Sequence, residues 1–139
     1  MIKGQTHAIN ELKDTAEISR VFLAALNAGD VVYLTGDLGA GKTTFCQMLL
    51  QAGGITEPVK SPTYALYNHY QSAEKSFIHM DLYRLSHPEE LYFIDIEWIL
   101  NGDHVVLIEW PSKGEGVLPK PDWHLKFDWN AGIRTLTIT

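Results

Sequence analysis

The chain has 139 residues, 45% of them apolar and 20% charged, with eleven basic against seventeen acidic side chains and a net charge of −6. That length predicts one domain, 1–139, with a real core, and the acidic balance is the wrong sign for gripping nucleic acid unaided. A single cysteine, Cys46, excludes an internal disulfide; no run nears the roughly 18 apolar residues of a membrane span, and no basic-then-apolar leader opens the chain, so the expected location is cytoplasmic, off the membrane.

The first residues, near Met1 to His7, read as a short edge strand. A helix follows, because Leu12, Ala16, Ser19, Leu23 and Leu26 recur at three- and four-residue steps, with Asn10 and Asp14 as candidate caps and Gly29 as the stop. Val31 to Leu34 is then a short apolar strand, and directly after it stands Gly36-Asp37-Leu38-Gly39-Ala40-Gly41-Lys42-Thr43. This stretch fits the phosphate-loop pattern of Gly, four residues, Gly-Lys and Ser or Thr. Glycines let successive backbone N–H groups point inward at the phosphates, Lys42 reaches the β- and γ-phosphates, and the Thr43 hydroxyl is placed for Mg²⁺. Thr44, Phe45, Met48 and Leu49 continue as a helix closed by Gly53-Gly54, so the order is strand, loop, helix, with the positive helix end at the phosphates.

Past that helix, Ser61-Pro62-Thr63-Tyr64 holds two hydroxyls around a proline. Two readings stand: a turn opening a strand from Tyr64 to Tyr70, or a switch-like loop that senses the γ-phosphate and its metal. Gln71 to Lys75 reads as a hairpin turn into Phe77 to Asp81, a strand ending in a carboxylate that serves either a metal or an ion pair with Arg84. Ser86, Pro88, Glu89 and Glu90 open a predicted helix to about Leu100. Val105 to Glu109 is four apolar residues and an acid, the Walker B form of a doubly buried strand that delivers a carboxylate to the metal's water shell. Trp110 beside it either covers a nucleotide or packs on the core. After a Gly/Pro-rich loop, Trp123 to Trp129 and Ile133 to Thr139 form a hairpin around Asn130-Ala131-Gly132. The predicted fold is therefore α/β: a phosphate-loop NTPase-like three-layer fold, with a mixed, mainly parallel central sheet and an antiparallel C-terminal hairpin.

The six histidines show no zinc spacing and no cysteine companions, so packed or solvated histidines are expected. A phosphate loop specifies a nucleotide, not a reaction. Small-molecule kinases use several cations on the transferred group, whereas this chain has only the arginines Arg20, Arg84 and Arg134. No Asn-Lys-x-Asp guanine segment occurs, which favours adenine. A small-molecule kinase and a non-hydrolysing nucleotide-gated binding module stay open as alternatives to an ATPase.

Taken together, Gly36 to Thr43, Ser61-Pro62-Thr63-Tyr64, His79 with Asp81-Leu82-Tyr83-Arg84, and Glu109-Trp110-Pro111 closely resemble the TsaE (YjeE) family across nearly the whole chain. Met80 departs from it, standing where the family often has Phe. The resemblance implies a bacterial Mg²⁺-dependent ATPase of low intrinsic activity, required for N6-threonylcarbamoyladenosine at position 37 of tRNA. It also implies TsaD and TsaB as partners, which ATP hydrolysis resets and through which tRNA is met only indirectly. On that resemblance ATP or ADP is held by Gly36, Asp37, Leu38, Gly39, Ala40, Gly41, Lys42, Thr43 and Thr44, with Ser61 and Thr63 as the switch-like loop and Trp110, Thr15 and Arg134 nearby. Thr43, Glu109 and Asp81 become the metal group, and Lys42, Asp81 and Glu109 the catalytic set.

Overall fold

Side chains alternate across a strand with period two, and in this chain the alternation sorts the core into two layers. Val32 and Leu34 face one side, with Val105, Leu107 and Phe77; Val31, Val106, Ile108, Ile78 and Met80 face the other. The structure, a computed structural model, describes residues 2–62 and 65–139. Its strands are β1 (Gln5–Ala8), β2 (Val31–Thr35), β3 (Tyr67–Gln71), β4 (Ser76–Asp81), β5 (Val105–Glu109), β6 (Trp123–Asn130) and β7 (Ile133–Ile138). They form one sheet in the order β1-β7-β6-β2-β5-β4-β3. Its centre, β6-β2-β5-β4, is parallel, while β3, β7 and β1 pair antiparallel at the flanks. This is the mixed sheet with a parallel core and C-terminal hairpin that the sequence predicts.

Helices α1 (Leu12–Ala25) and α2 (Lys42–Ala52) cover the first face, where Phe22, Phe45, Leu49 and Leu50 are fully buried. Phe45 packs edge-on against Phe127 at 5.7 Å between centroids, and Phe22 against Trp123 at 5.1 Å, so the C-terminal hairpin is part of the same core. Glu11 caps α1, and the Asp14 carboxylate accepts its backbone N–H at 3.0 Å. Asn10 is not the cap: its Oδ1 instead accepts the Arg134 N–H at 2.9 Å, tying the helix entrance to β7.

The opposite face departs from the sequence reading. In place of one helix from Ser86 to Leu100, a 3₁₀ segment, Pro88–Phe93, is followed by a one-turn helix, α3 (Ile96–Ile99). Ile94 is extended between them (φ −117°, ψ 128°), a break that brings both Leu91 and Ile96 down onto the sheet. The strand expected from Tyr64 begins at Tyr67, because Leu66 has a left-handed φ of 66°, outside strand geometry; Tyr64 itself lies outside the described residues. Among the described residues no helix is long and apolar enough to cross a membrane.

Candidate nucleotide site

The loop after β2 depends on backbone shapes that only glycine adopts without strain. Gly36 has φ 144°, and a Cβ there would stand 2.5 Å from the Phe127 carbonyl oxygen. Gly41, at φ 108°, turns the chain into α2, so that Lys42 and Thr43 open the helix. The first N–H groups of a helix have no partner within it, which leaves this end suited to an anion. Lys42 is 4% exposed, and its Nζ donates to the Gly36 carbonyl at 2.5 Å, looping back across the turn. The Trp110 ring lies 3.8 Å from the same Nζ. Burial pulls the Lys42 ammonium below its ordinary value, and Glu109, Asp81 and Asp37 oppose that pull.

Strand parity assembles the rest. Phe77, His79 and Asp81 share one face of β4, and Val105, Leu107 and Glu109 share the same face of β5. Parallel pairing sets His79 beside Leu107 and Asp81 beside Glu109, all toward α2. Thr43 therefore meets Glu109: its hydroxyl donates to Oε1 at 3.1 Å and Oε2 at 3.3 Å. His79, fully buried, places Nε2 at 2.6 Å from Glu109 Oε2. Asp81 is half-buried and accepts the Tyr83 N–H at 3.0 Å; desolvation raises its carboxyl above the ordinary range, opposed by the Tyr83 hydrogen bond and reinforced by Glu109.

These oxygens fit a hard divalent cation. With its O–H donating a hydrogen bond to Glu109, the Thr43 oxygen keeps its lone pairs for a metal, and the raised carboxyl of Asp81 marks a group that a cation would stabilise in its charged form. Cys46 lies with His79 and Glu109, their donor atoms within 4.8 Å of one another, which corrects the expectation that no histidine has a cysteine companion. Burial pushes the Cys46 thiol well above its ordinary value; metals bind thiolates, so Cys46 is a neutral packing group.

A cleft of about 480 Å³ runs over this floor, lined by Leu38, Gly39, Gly41, Lys42, Thr43, Thr44, Ser61, Asp81, Tyr83, Arg84, Glu109, Trp110 and Arg134. Not every expected residue reaches it. Gly36, Asp37 and Ala40 line a separate hollow of about 260 Å³ against β6, because the turn at Gly36 directs them toward Phe127. Thr15 is buried on α1 and borders a smaller hollow of about 130 Å³ with Ala40, Gly41, Thr44 and Arg134. Thr63 lies outside the described residues. Trp110 packs on the second core layer, as one of its two sequence readings expects, and its ring also stands over Lys42. Sequence reasoning missed the contact of His79 with Glu109 and the place of Tyr83 in the cleft; the period-two alternation of Phe77 to Asp81 was the signal that could have found the first.

Comparison with known proteins identifies the family and the fold. A sequence profile of the family described as threonylcarbamoyl adenosine biosynthesis protein TsaE matches residues 9–135. A protein of Haemophilus influenzae named tRNA threonylcarbamoyladenosine biosynthesis protein TsaE is 47% identical over 108 residues, 78% of this chain and 68% of that one. One of the same name from Rickettsia prowazekii is 37% identical over 116 residues, 83% of this chain and 80% of its own. The crystal structure of Bacillus subtilis YdiB superposes with a TM-score of 0.81 at 28% identity, covering 99% of this chain and 86% of that one.

Proposed function

The chain belongs to the TsaE family, and from that premise we propose that it is a Mg²⁺-dependent ATP-binding protein of slow intrinsic hydrolysis, acting in N6-threonylcarbamoyladenosine modification of tRNA with TsaD and TsaB. The observation that carries the reading is the Thr43–Glu109 hydrogen bond beside the buried Lys42. It joins Thr43 of α2 to Glu109 of β5, two residues that the phosphate-loop reading expects at one metal. Backbone N–H groups at the start of α2 bind the phosphates, and Lys42 supplies the positive charge for the terminal one. Thr43, Asp81 and Glu109 are the residues that would hold the metal. A divalent cation held there would supply positive charge to offset the negative charge of the phosphates. Trp110 shields the Lys42 ammonium from solvent, and Arg84 and Arg134 line the same cleft.

Transition-state charge in phosphoryl transfer is commonly met by an arginine supplied by a partner, worth ~10³- to 10⁵-fold in rate. Slow turnover alone and faster turnover with partners follow from that design. The test is phosphate release from ATP with and without TsaB and TsaD. Low basal, partner-stimulated turnover supports the reading. Strong partner-independent turnover, or none in any mixture, argues against it.

A further inference from the structure

We propose that His79 is the positioning residue for Glu109, selecting which of its two carboxylate oxygens faces the nucleotide; the inference rests on the ATPase reading above. Thr43 cannot make that choice, since its hydroxyl lies almost equally far from both oxygens, 3.1 and 3.3 Å. His79 does discriminate. Its Nε2 sits 2.6 Å from Oε2, short enough for a charge-assisted hydrogen bond. With Oε2 held against β4, Oε1 is left for the Thr43 hydroxyl and the water shell of a metal in the cleft.

Burial indicates that this polar ring serves Glu109 rather than the fold. His79 is fully buried on the apolar face of β4, two residues from Phe77, and its second ring nitrogen, Nδ1, has no hydrogen-bond partner among the described residues. A buried polar atom without a partner opposes folding, so an apolar side chain would suit the core better at this position. Among the described residues, the one partner that the histidine ring gains is Glu109. The same accounting assigns the tautomer: Nε2 carries the proton and donates to Oε2, because a proton on Nδ1 would meet no acceptor and would leave Nε2 facing the carboxylate as a second acceptor. Groups of this kind, which orient a metal-binding side chain without touching the metal, typically change metal affinity or activity by ~10- to 100-fold when removed.

The test compares His79→Leu, which fills the space without a donor, with His79→Gln, whose amide N–H₂ can reach the same oxygen. In His79→Leu, kcat in the presence of the partners should fall ~10- to 100-fold and half-saturation should need more Mg²⁺, while ATP affinity measured with Mg²⁺ chelated stays at the wild-type level. His79→Gln should recover most of both. Unchanged kcat and Mg²⁺ dependence in a folded His79→Leu protein would overturn the proposal, as would failure of the Gln variant to recover in a protein of wild-type thermal stability. Nitrogen-15 NMR of the wild-type protein supplies a readout apart from activity. The His79 ring should show the Nε2–H tautomer and change its Nε2 signal in Glu109→Gln; an Nδ1–H tautomer would sink the idea even if no variant folds. Absence of Mg²⁺-dependent hydrolysis in the wild type would instead remove the functional reading and leave the NMR result standing.

Discussion

Thr43 and Glu109 lie 66 positions apart in the chain, yet the hydroxyl of one donates to both oxygens of the other. The contact joins the first turn of a helix to the last residue of β5, the strand beside β2. Glu109→Gln keeps the shape of that contact and removes the charge. Phosphate release is expected to fall ~10²- to 10⁴-fold, the range for loss of a catalytic base or its equivalent, with ATP affinity in chelator little changed by calorimetry. Lys42→Ala should do the reverse to binding and abolish tight ATP association. Equal loss of binding and turnover in Glu109→Gln would move Glu109 from metal work to folding.

Trp110 adopts a left-handed backbone (φ 57°, ψ 51°) that disfavours any side chain. The usual ranking of glycine below alanine should therefore invert at this position. Urea denaturation of Trp110→Gly and Trp110→Ala, which lose the same ring contact with Lys42, should find the glycine variant more stable by about 1 kcal/mol. An alanine variant of equal or greater stability would mean that the local backbone relaxes once the ring is gone.

The tip of the β6–β7 hairpin is Ala131-Gly132, with φ of 51° and 80° between the paired residues Asn130 and Ile133. Positive φ at both central positions is a type I′ turn, for which Asn-Gly is the favoured pair. Ala131→Asn should raise stability by about 0.5–1 kcal/mol, read as a higher urea midpoint at unchanged slope. A lowered midpoint would refute the turn assignment.

Two histidines away from the nucleotide cleft predict an acid weakness. Desolvation and His104 lower the value for His69, with Glu57 opposing, and desolvation and Lys126 lower that for His124. A histidine whose folded value lies below its unfolded one binds protons more readily when unfolded, so its stabilising effect is complete above about 6.5 and is lost as pH falls below it. Melting temperature should drop between pH 7 and pH 5.5, and the drop should shrink in His69→Asn/His124→Asn. An identical drop in that variant would assign the acid sensitivity elsewhere.

The turn from Gly36 to Gly41 was legible because its backbone constrains residue type: a tight turn between a strand and a helix demands glycine. Glu109 was legible for a related reason, as an acid closing four buried apolar residues. The break at Ile94 was not, because Leu91, Ile96 and Ile99 satisfy a helical spacing and a kinked pair of short turns equally well, and only tertiary packing decides between them. Contacts across great chain separation were also beyond reach, such as Asn10 with the Arg134 backbone and Gly36 against Phe127. Local pattern carries no information about which distant backbone will arrive there.

Strand β1 pairs with β7, and β6 is inserted between β7 and β2, so the loop at Gly36 is walled on one side by β6, a strand that follows it at long range in the sequence. Such long-range pairing is slow to form, because loop-closure entropy must be met before the contacts reward it. During synthesis the loop leaves the ribosome roughly ninety residues before the backbone that buttresses it, at about 5–20 residues per second. A nascent chain carrying Gly36 to Thr43 alone thus lacks the β6 backbone that packs against Gly36, and the loop should take its final shape only after β6 has paired.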